Sequence, residues 1–176
     1  YRLLDADFAK VQIGKQTDLT LTAHRRSRDD GLEIKVNGTS LVAGELLDNI
    51  KGGGTSSFDT PVALDANIDK VFLKQDVLIQ DTNLALELND GKLIRFNLDT
   101  NFPGEGGLYG ALTEFEWGER KLAVSSTDAG RVIAGLTGSS SFIGGDLDLV
   151  VDLPADGSKS LGDLDVRDFR VINLPL

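Results

Sequence analysis

The 176-residue sequence has no cysteine, no methionine, one histidine, one tryptophan, two tyrosines and four prolines. Without cysteine there is neither a disulfide framework nor a thiolate metal site. A Ser-His-Asp constellation would have to use His24, which stands in His24-Arg25-Arg26-Ser27-Arg28 just before a turn, and no Gly-x-Ser-x-Gly accompanies it. His24 therefore reads as a solvated loop residue rather than a catalytic base. No Walker lysine follows a glycine cluster, and the run from Gly104 to Gly110 misses the dinucleotide fingerprint because Tyr109 occupies the third glycine position. No apolar run reaches the roughly 18 residues that cross a bilayer. Positive charge is scarce as well: 18 Lys and Arg against 28 Asp and Glu leave a net charge of −10. A chain so acidic has no electrostatic footprint for nucleic acid.

Acidic residues are plentiful enough to raise two chemistries. Gly144-Gly145-Asp146-Leu147-Asp148 shares a pattern with the calcium-binding nonapeptide, and Asp156-Gly157 with an EF-hand turn. The first occurs once instead of in series, however, and the second lacks the regular ligand positions, so both read as a solvent-facing acidic edge and no metal site is expected. Glycoside hydrolysis by paired carboxylates calls for aromatic platforms and a pocket that so few Trp and Tyr hardly supply. No enzyme and no cofactor are expected.

What is present is repetition. Shifted by sixty positions without a gap, Leu4-Asp5-Ala6 falls on Leu64-Asp65-Ala66, Lys10-Val11 on Lys70-Val71, Asp30-Gly31 on Asp90-Gly91, Ile34 on Ile94 and Asn37 on Asn97. A third partial copy starts at Leu164-Asp165 and continues with Arg170-Val171. A period of this kind marks a structural unit that stacks on its neighbours to share a core. The expected organisation is one β-rich domain of two related repeats, about 1–52 and 61–176, joined by a Gly/Ser-rich linker at 52–57. A start at Tyr1 inside a strand pattern, with no methionine anywhere, predicts a fragment of a longer chain.

Period-two alternation dominates within the repeats. Leu19, Leu21 and Ala23 alternate with threonines, then Leu32, Ile34 and Val36 with charged residues. The second copy places Leu84, Leu86 and Leu88 before Asn89-Asp90-Gly91, and Ile94, Phe96 and Leu98 after it, a hairpin with one apolar face. Parity changes inside each opening strand, from Leu4, Ala6 and Phe8 to Val11 and Ile13, and from Leu64, Ala66 and Ile68 to Val71 and Leu73. This predicts a β-bulge or sharp bend near residues 9–10 and 69–70. A further hairpin is expected over Leu112–Trp117 and Lys121–Ser125. Two short helices are expected, near 44–51 and at 127–136; the second has Ser126 or Thr127 as cap, Gly138 as stop, and Ala129, Val132, Ile133 and Leu136 on one face. The last strands run from Gly144-Gly145 through Leu147, Leu149 and Val151, and from Leu161 to Leu174. The fold class is mainly β: a repeating, bent antiparallel sheet, either open as a β-groove or closed to a sandwich, with two short helices.

Ser126-Thr127-Asp128-Ala129-Gly130, a short helix, Gly144-Gly145 opening a strand, Asp156-Gly157, and Leu164-Asp165-Val166-Arg167-Asp168-Phe169-Arg170-Val171 together resemble the C-terminal periplasmic region of bacterial AsmA-like envelope proteins. That superfamily includes the YhdP and TamB types. The resemblance spans roughly residues 38–172. It implies the periplasmic portion of an inner-membrane-anchored protein of a Gram-negative bacterium, a bent apolar β-groove that carries phospholipid toward the outer membrane. Lipid-groove candidates on that reading are Leu84, Leu86, Leu88, Ile94, Phe96, Leu98, Leu147, Leu149, Val151, Phe169 and Val171. Arg25, Arg26 and Arg28 are candidates for holding a phosphate headgroup, and the parent chain and other envelope proteins are the expected protein partners. The alternative is a structural or assembly module of the envelope whose apolar faces are fully buried.

Overall fold

The computed structural model describes residues 5–13, 16–25, 31–44, 60–156 and 158–172. Their alternating apolar residues form twelve strands: β1 (Asp5–Ile13), β2 (Thr17–His24), β3 (Leu32–Val42), β4 (Val62–Phe72), β5 (Leu78–Asn89), β6 (Lys92–Asn101), β7 (Gly107–Glu114), β8 (Arg120–Ser126), β9 (Phe142–Ile143), β10 (Asp146–Leu153), β11 (Leu161–Arg167) and β12 (Arg170–Val171). One helix, α1 (Ala129–Thr137), lies between β8 and β9. Ten strands form a single bent sheet in the order β1-β2-β3-β4-β5-β6-β7-β8-β10-β11, which does not close into a barrel. The remaining pair, β9 and β12, makes a separate two-stranded ribbon.

The sheet is mixed, where an antiparallel one was expected. All its pairings are antiparallel except β3 with β4, which run parallel from Leu32 opposite Val62 to Val42 opposite Phe72. A parallel joint needs a crossover of a dozen or more residues instead of a tight turn, and the chain between Val42 and Val62 supplies that length. The joint has a consequence for the repeat. Strands β1-β2-β3 run up, down, up; β4, parallel to β3, starts the same sequence again, so both sixty-residue copies share one orientation within the sheet.

The expected bend in β1 is a bulge. Phe8 pairs with Leu21 and Val11 with Leu19, three steps against two, with Ala9 and Lys10 between. In β4 the parity change also occurs: Ile68 and Val71 are both buried while Asp69 and Lys70 are exposed. It causes no register shift, because both neighbours step with it, Gly38 to Leu41 on β3 and Thr82 to Ile79 on β5. The extra residue is taken up further out, against β2 at Thr39 and against β6 at Asp81, whose φ is 52°. Three adjacent strands thus share one crease. Gly38 makes that crease possible, since a Cβ there would lie 2.4 Å from Leu19 Cδ2 and 2.5 Å from the Asp18 carbonyl oxygen. Gly38→Ala is expected to cost about 1–3 kcal/mol, read as a lower urea midpoint at unchanged slope.

The β5–β6 hairpin turns through Asp90 and Gly91, with φ of 49° and 68°, the left-handed pair that matches the twist of the flanking strands. The hairpin expected through Gly118-Glu119 joins β7 to β8. Helix α1 is capped by Asp128, whose Oδ1 accepts the Arg131 N–H at 2.9 Å, and is stopped by Gly138 at φ 82°. Its first N–H groups, of Ala129 and Gly130, donate to the carbonyls of Gly145 and Gly144. The buried face is the expected one in part: Ala129 and Val132 are buried, joined by Gly130, Ala134 and Gly135, while Ile133 is half-buried and Leu136 is exposed. Small residues win because the helix sits close against its neighbours, backbone at Gly130 and side chains at Gly135. A Cβ on Gly130 would meet the Phe142 carbonyl at 2.7 Å, and one on Gly135 would meet Leu73 Cδ1 at 2.7 Å. The helix expected near 44–51 and the linker at 52–57 lie outside the described residues, apart from Gly44. The strand expected from Leu161 to Leu174 is two, β11 and β12, separated at Asp168, whose φ of 54° turns the chain off the large sheet.

Candidate functional site: an apolar face across ten strands

Cross-strand pairing places one uninterrupted line of apolar positions across the large sheet. Phe8 is opposite Leu21, then come Val36, Ala66, Leu84, Leu98, Gly110, Val124, Leu149 and Leu164, each paired with the next. Nine strand spacings of about 4.8 Å make this line about 43 Å long measured along the sheet. Parallel lines flank it. On one side Ala6, Ala23, Ile34, Leu64, Leu86 and Phe96 are successive partners, and Leu112, Leu122 and Val151 continue beyond. On the other side Val11, Leu19, Gly38, Ile68 and Thr82 are followed by Thr100, Leu108, Ser126, Leu147 and Val166. Thr82 and Thr100 bridge the step between those halves through their hydroxyls, 3.0 Å apart and buried.

Coverage of this face is uneven. Helix α1 packs over one end: Val132 and Ala129 join Phe102, Ile68, Val71, Ile79, Leu19 and Leu147 in the buried core. Arg131 spans the Phe102 ring at 5.3 Å and donates to the Pro103 carbonyl. Away from the helix, burial falls off. No side chain of the central line is fully buried, and its two ends, Phe8 and Leu164, are 52% and 63% exposed.

Eight of the eleven groove candidates lie on this face: Leu84, Leu86, Leu88, Phe96, Leu98, Leu147, Leu149 and Val151. Leu147 is at the sealed end; the others are half-buried. Three candidates are displaced. Ile94 is the extra residue of a bulge on β6 and is 42% exposed, while Leu93 takes the place opposite Leu88. Phe169 and Val171 leave the large sheet with the turn at Asp168; the Phe169 ring packs against that of Phe142, centroids 5.6 Å apart and planes tilted by 44°, and Val171 pairs with Phe142 in the small ribbon. Sequence reading omitted Leu93, Leu112, Leu122 and Val124. Alternation in the Leu112 to Val124 hairpin carried the signal, but which face it joined depended on the β6–β7 register.

Of the headgroup candidates, Arg26 and Arg28 lie outside the described residues. Arg25 follows β2 at the end of the face away from α1, half-buried, its Nε enclosed with no hydrogen-bond partner among the described residues. His24 ends β2 instead of standing in a loop, and its Nδ1 lies 3.7 Å from Asp5 Oδ1 with both groups exposed.

The opposite face is polar, as alternation requires. Asn67 Nδ2 donates to Asn83 Oδ1 at 2.8 Å, Arg95 lies between Asp65 at 3.1 Å and Glu87 at 3.8 Å, and Arg167 binds Asp148 and Asp165. A shallow depression of about 420 Å³ on this face is lined by Lys35, Asn37, Asp65, Asn67, Asn83 and Asp99 among others. Among the described residues no three His, Asp or Glu side chains converge as a metal site. The Ser158 N–H donates to Asp156 Oδ1 at 2.8 Å and holds that carboxyl below its ordinary pKa, the opposite of what a general acid needs. Fold and face together define a bent, non-closed mixed β-sheet with one long apolar surface. No family model matches the sequence, and neither a curated protein nor a solved structure shows significant similarity to it.

Proposed function

We propose that the protein is a non-enzymatic lipid conduit, a segment of an AsmA-like envelope protein in the periplasm of a Gram-negative bacterium, carrying phospholipid acyl chains along the apolar sheet face between the inner and outer membranes. The observation that carries this reading is the line from Phe8 to Leu164, apolar on every strand yet buried on none apart from Gly110. A monomer seldom keeps a contiguous apolar surface of this extent without something to cover it. Its length of about 43 Å exceeds the ~15 Å that one leaflet of hydrocarbon occupies. Arg25, at the uncovered end, offers a guanidinium to a phosphate.

The rival reading, a structural module of the envelope with buried faces, draws on the end beneath α1, where Phe102 and Ile68 are each 3% exposed. Lipid uptake separates the two. The delipidated 176-residue chain is expected to take up fluorescent phospholipid saturably, with lipid adducts in native mass spectra. Absence of both would sink the conduit reading and leave the structural one.

A further inference from the structure

On the polar face of the sheet, cross-strand pairing sets Thr20 opposite Asn37, and Asn67, Asn83, Asp99 and Tyr109 follow in register. This row crosses from β2 to β7, five strand spacings or about 24 Å. Beside it Ala85, Asn97, Ala111 and Ala123 are successive partners. Asn, Asp and, to a lesser degree, Ala are depleted in strands, and a face that only met water would be filled better by Thr. The short side chains leave a trough. Depressions of about 390, 420 and 300 Å³ follow one another along the row; the first two share Asn37 and Asn67, the last two Asn97 and Asp99.

Two features of the trough are fixed in place. Asn67 Nδ2 donates to Asn83 Oδ1 at 2.8 Å, and Asn83 Nδ2 to the Asp81 carbonyl at 3.1 Å, so the two central amides are held in one orientation. Tyr109 lies down along its own strand. A Cβ on Gly107, two residues back on the same face, would stand 2.6 Å from Tyr109 Oη and 2.8 Å from Cζ, so only glycine leaves the ring room to lie there. Its hydroxyl is 3.4 Å from Asn101 Oδ1, and the residue is 41% exposed.

We propose that this trough binds a linear, uncharged oligosaccharide laid across the strands, with one sugar ring stacked on Tyr109. Each asparagine offers two donors and an acceptor oxygen, the complement of hydroxyls that both donate and accept. The negative face of the tyrosine ring suits the C–H groups of a pyranose. Charge selects against a polyanion: Asp18, Asp65, Asp69 and Asp99 line the trough against Lys35, and Arg95 is held by Asp65 and Glu87. An extended peptide would need open main-chain groups or apolar pockets, whereas every strand from β2 to β7 is paired on both sides. The site is on the face opposite the apolar line and does not depend on lipid binding.

The probes are chitohexaose, cellohexaose and maltohexaose, each titrated into the isotope-labelled 176-residue chain and followed by the side-chain amide signals of Asn37, Asn67, Asn83 and Asn97. At least one probe is expected to shift those signals saturably, with the same affinity in low and high salt. Tyr109→Phe is expected to bind as the unaltered chain does, and Tyr109→Leu at least tenfold more weakly. Ala111→Arg, at an exposed position of the floor, is expected to abolish binding with no change in melting temperature. Shifts that do not saturate with any of the three probes, saturable shifts confined to the apolar face, equal weakening by Tyr109→Phe and Tyr109→Leu, or undiminished binding by Ala111→Arg would each overturn the proposal. Tighter binding of an anionic oligogalacturonate of the same length would overturn it too.

Discussion

Phe102→Ala is expected to lower the unfolding free energy by about 3–5 kcal/mol. The ring is 3% exposed and sits where α1 meets the sheet, among Ile79, Val132 and Leu147 in one buried cluster. Removing it opens a cavity that the surroundings can fill only poorly: the backbone on the far side is fixed by the Gly106 carbonyl, which accepts the Phe102 N–H at 2.9 Å. Arg131 also loses the ring it spans at 5.3 Å, a contact worth about 0.5–1 kcal/mol at an exposed site. The informative comparison is Leu164→Ala, at the far end of the apolar line, where the side chain is 63% exposed and the expected change is within about 0.5 kcal/mol. Urea unfolding of both variants checks the contrast. Equal losses would mean that the face is packed uniformly, against the uneven cover described above.

That unevenness was beyond reach of the sequence, although much of its basis was legible. The parity change between Phe8 and Val11 located the bulge in β1, because a strand that must keep one face buried can change parity only by inserting a residue. The same signal at Ile68 and Val71 was also real, yet there the neighbours step in unison and form a crease, which no single strand's pattern reveals. Asp90-Gly91 gave its hairpin through turn chemistry alone. The parallel joint left no local trace: β3 and β4 read the same whichever way they pair, and direction was decided by a long connection. Three candidate residues were displaced for two different reasons. Ile94 continues a regular alternation with Phe96 and Leu98, and the extra residue on β6 leaves no mark on it, whereas Phe169 and Val171 break parity with Leu164 and Val166, a three-residue step that falls at the left-handed Asp168. On the helix, Leu136 and Ile133 promised a larger apolar face than Gly130 and Gly135, but close approach, to backbone at Gly130 and to the Leu73 side chain at Gly135, favoured the small residues.

Placing two carboxylates in the centre of the apolar line, Leu84→Asp with Leu98→Asp, is expected to abolish phospholipid uptake, by well over tenfold, while leaving the chain folded. The two positions are paired across β5 and β6 and both are half-buried, away from α1. In the empty protein water reaches them, so the charges stay hydrated and the expected stability cost is that of lost packing, about 1–2 kcal/mol together. An acyl chain laid over them removes that water, and an unpaired carboxylate out of water costs several kcal/mol, which is more than a thousandfold in affinity at 1.4 kcal/mol per factor of ten. Ala111→Asp, exposed on the polar face opposite Asn97 and Ala123, adds charge without touching the line and should leave uptake unchanged. The same double variant separates the two readings of the face by a second route. Were the centre sealed in solution by a partner surface or by self-association, two buried carboxylates would unfold the chain or split the assembly whether or not lipid is present. A folded variant that has lost only its lipid places the apolar line in contact with ligand; a variant that unfolds places it in a core.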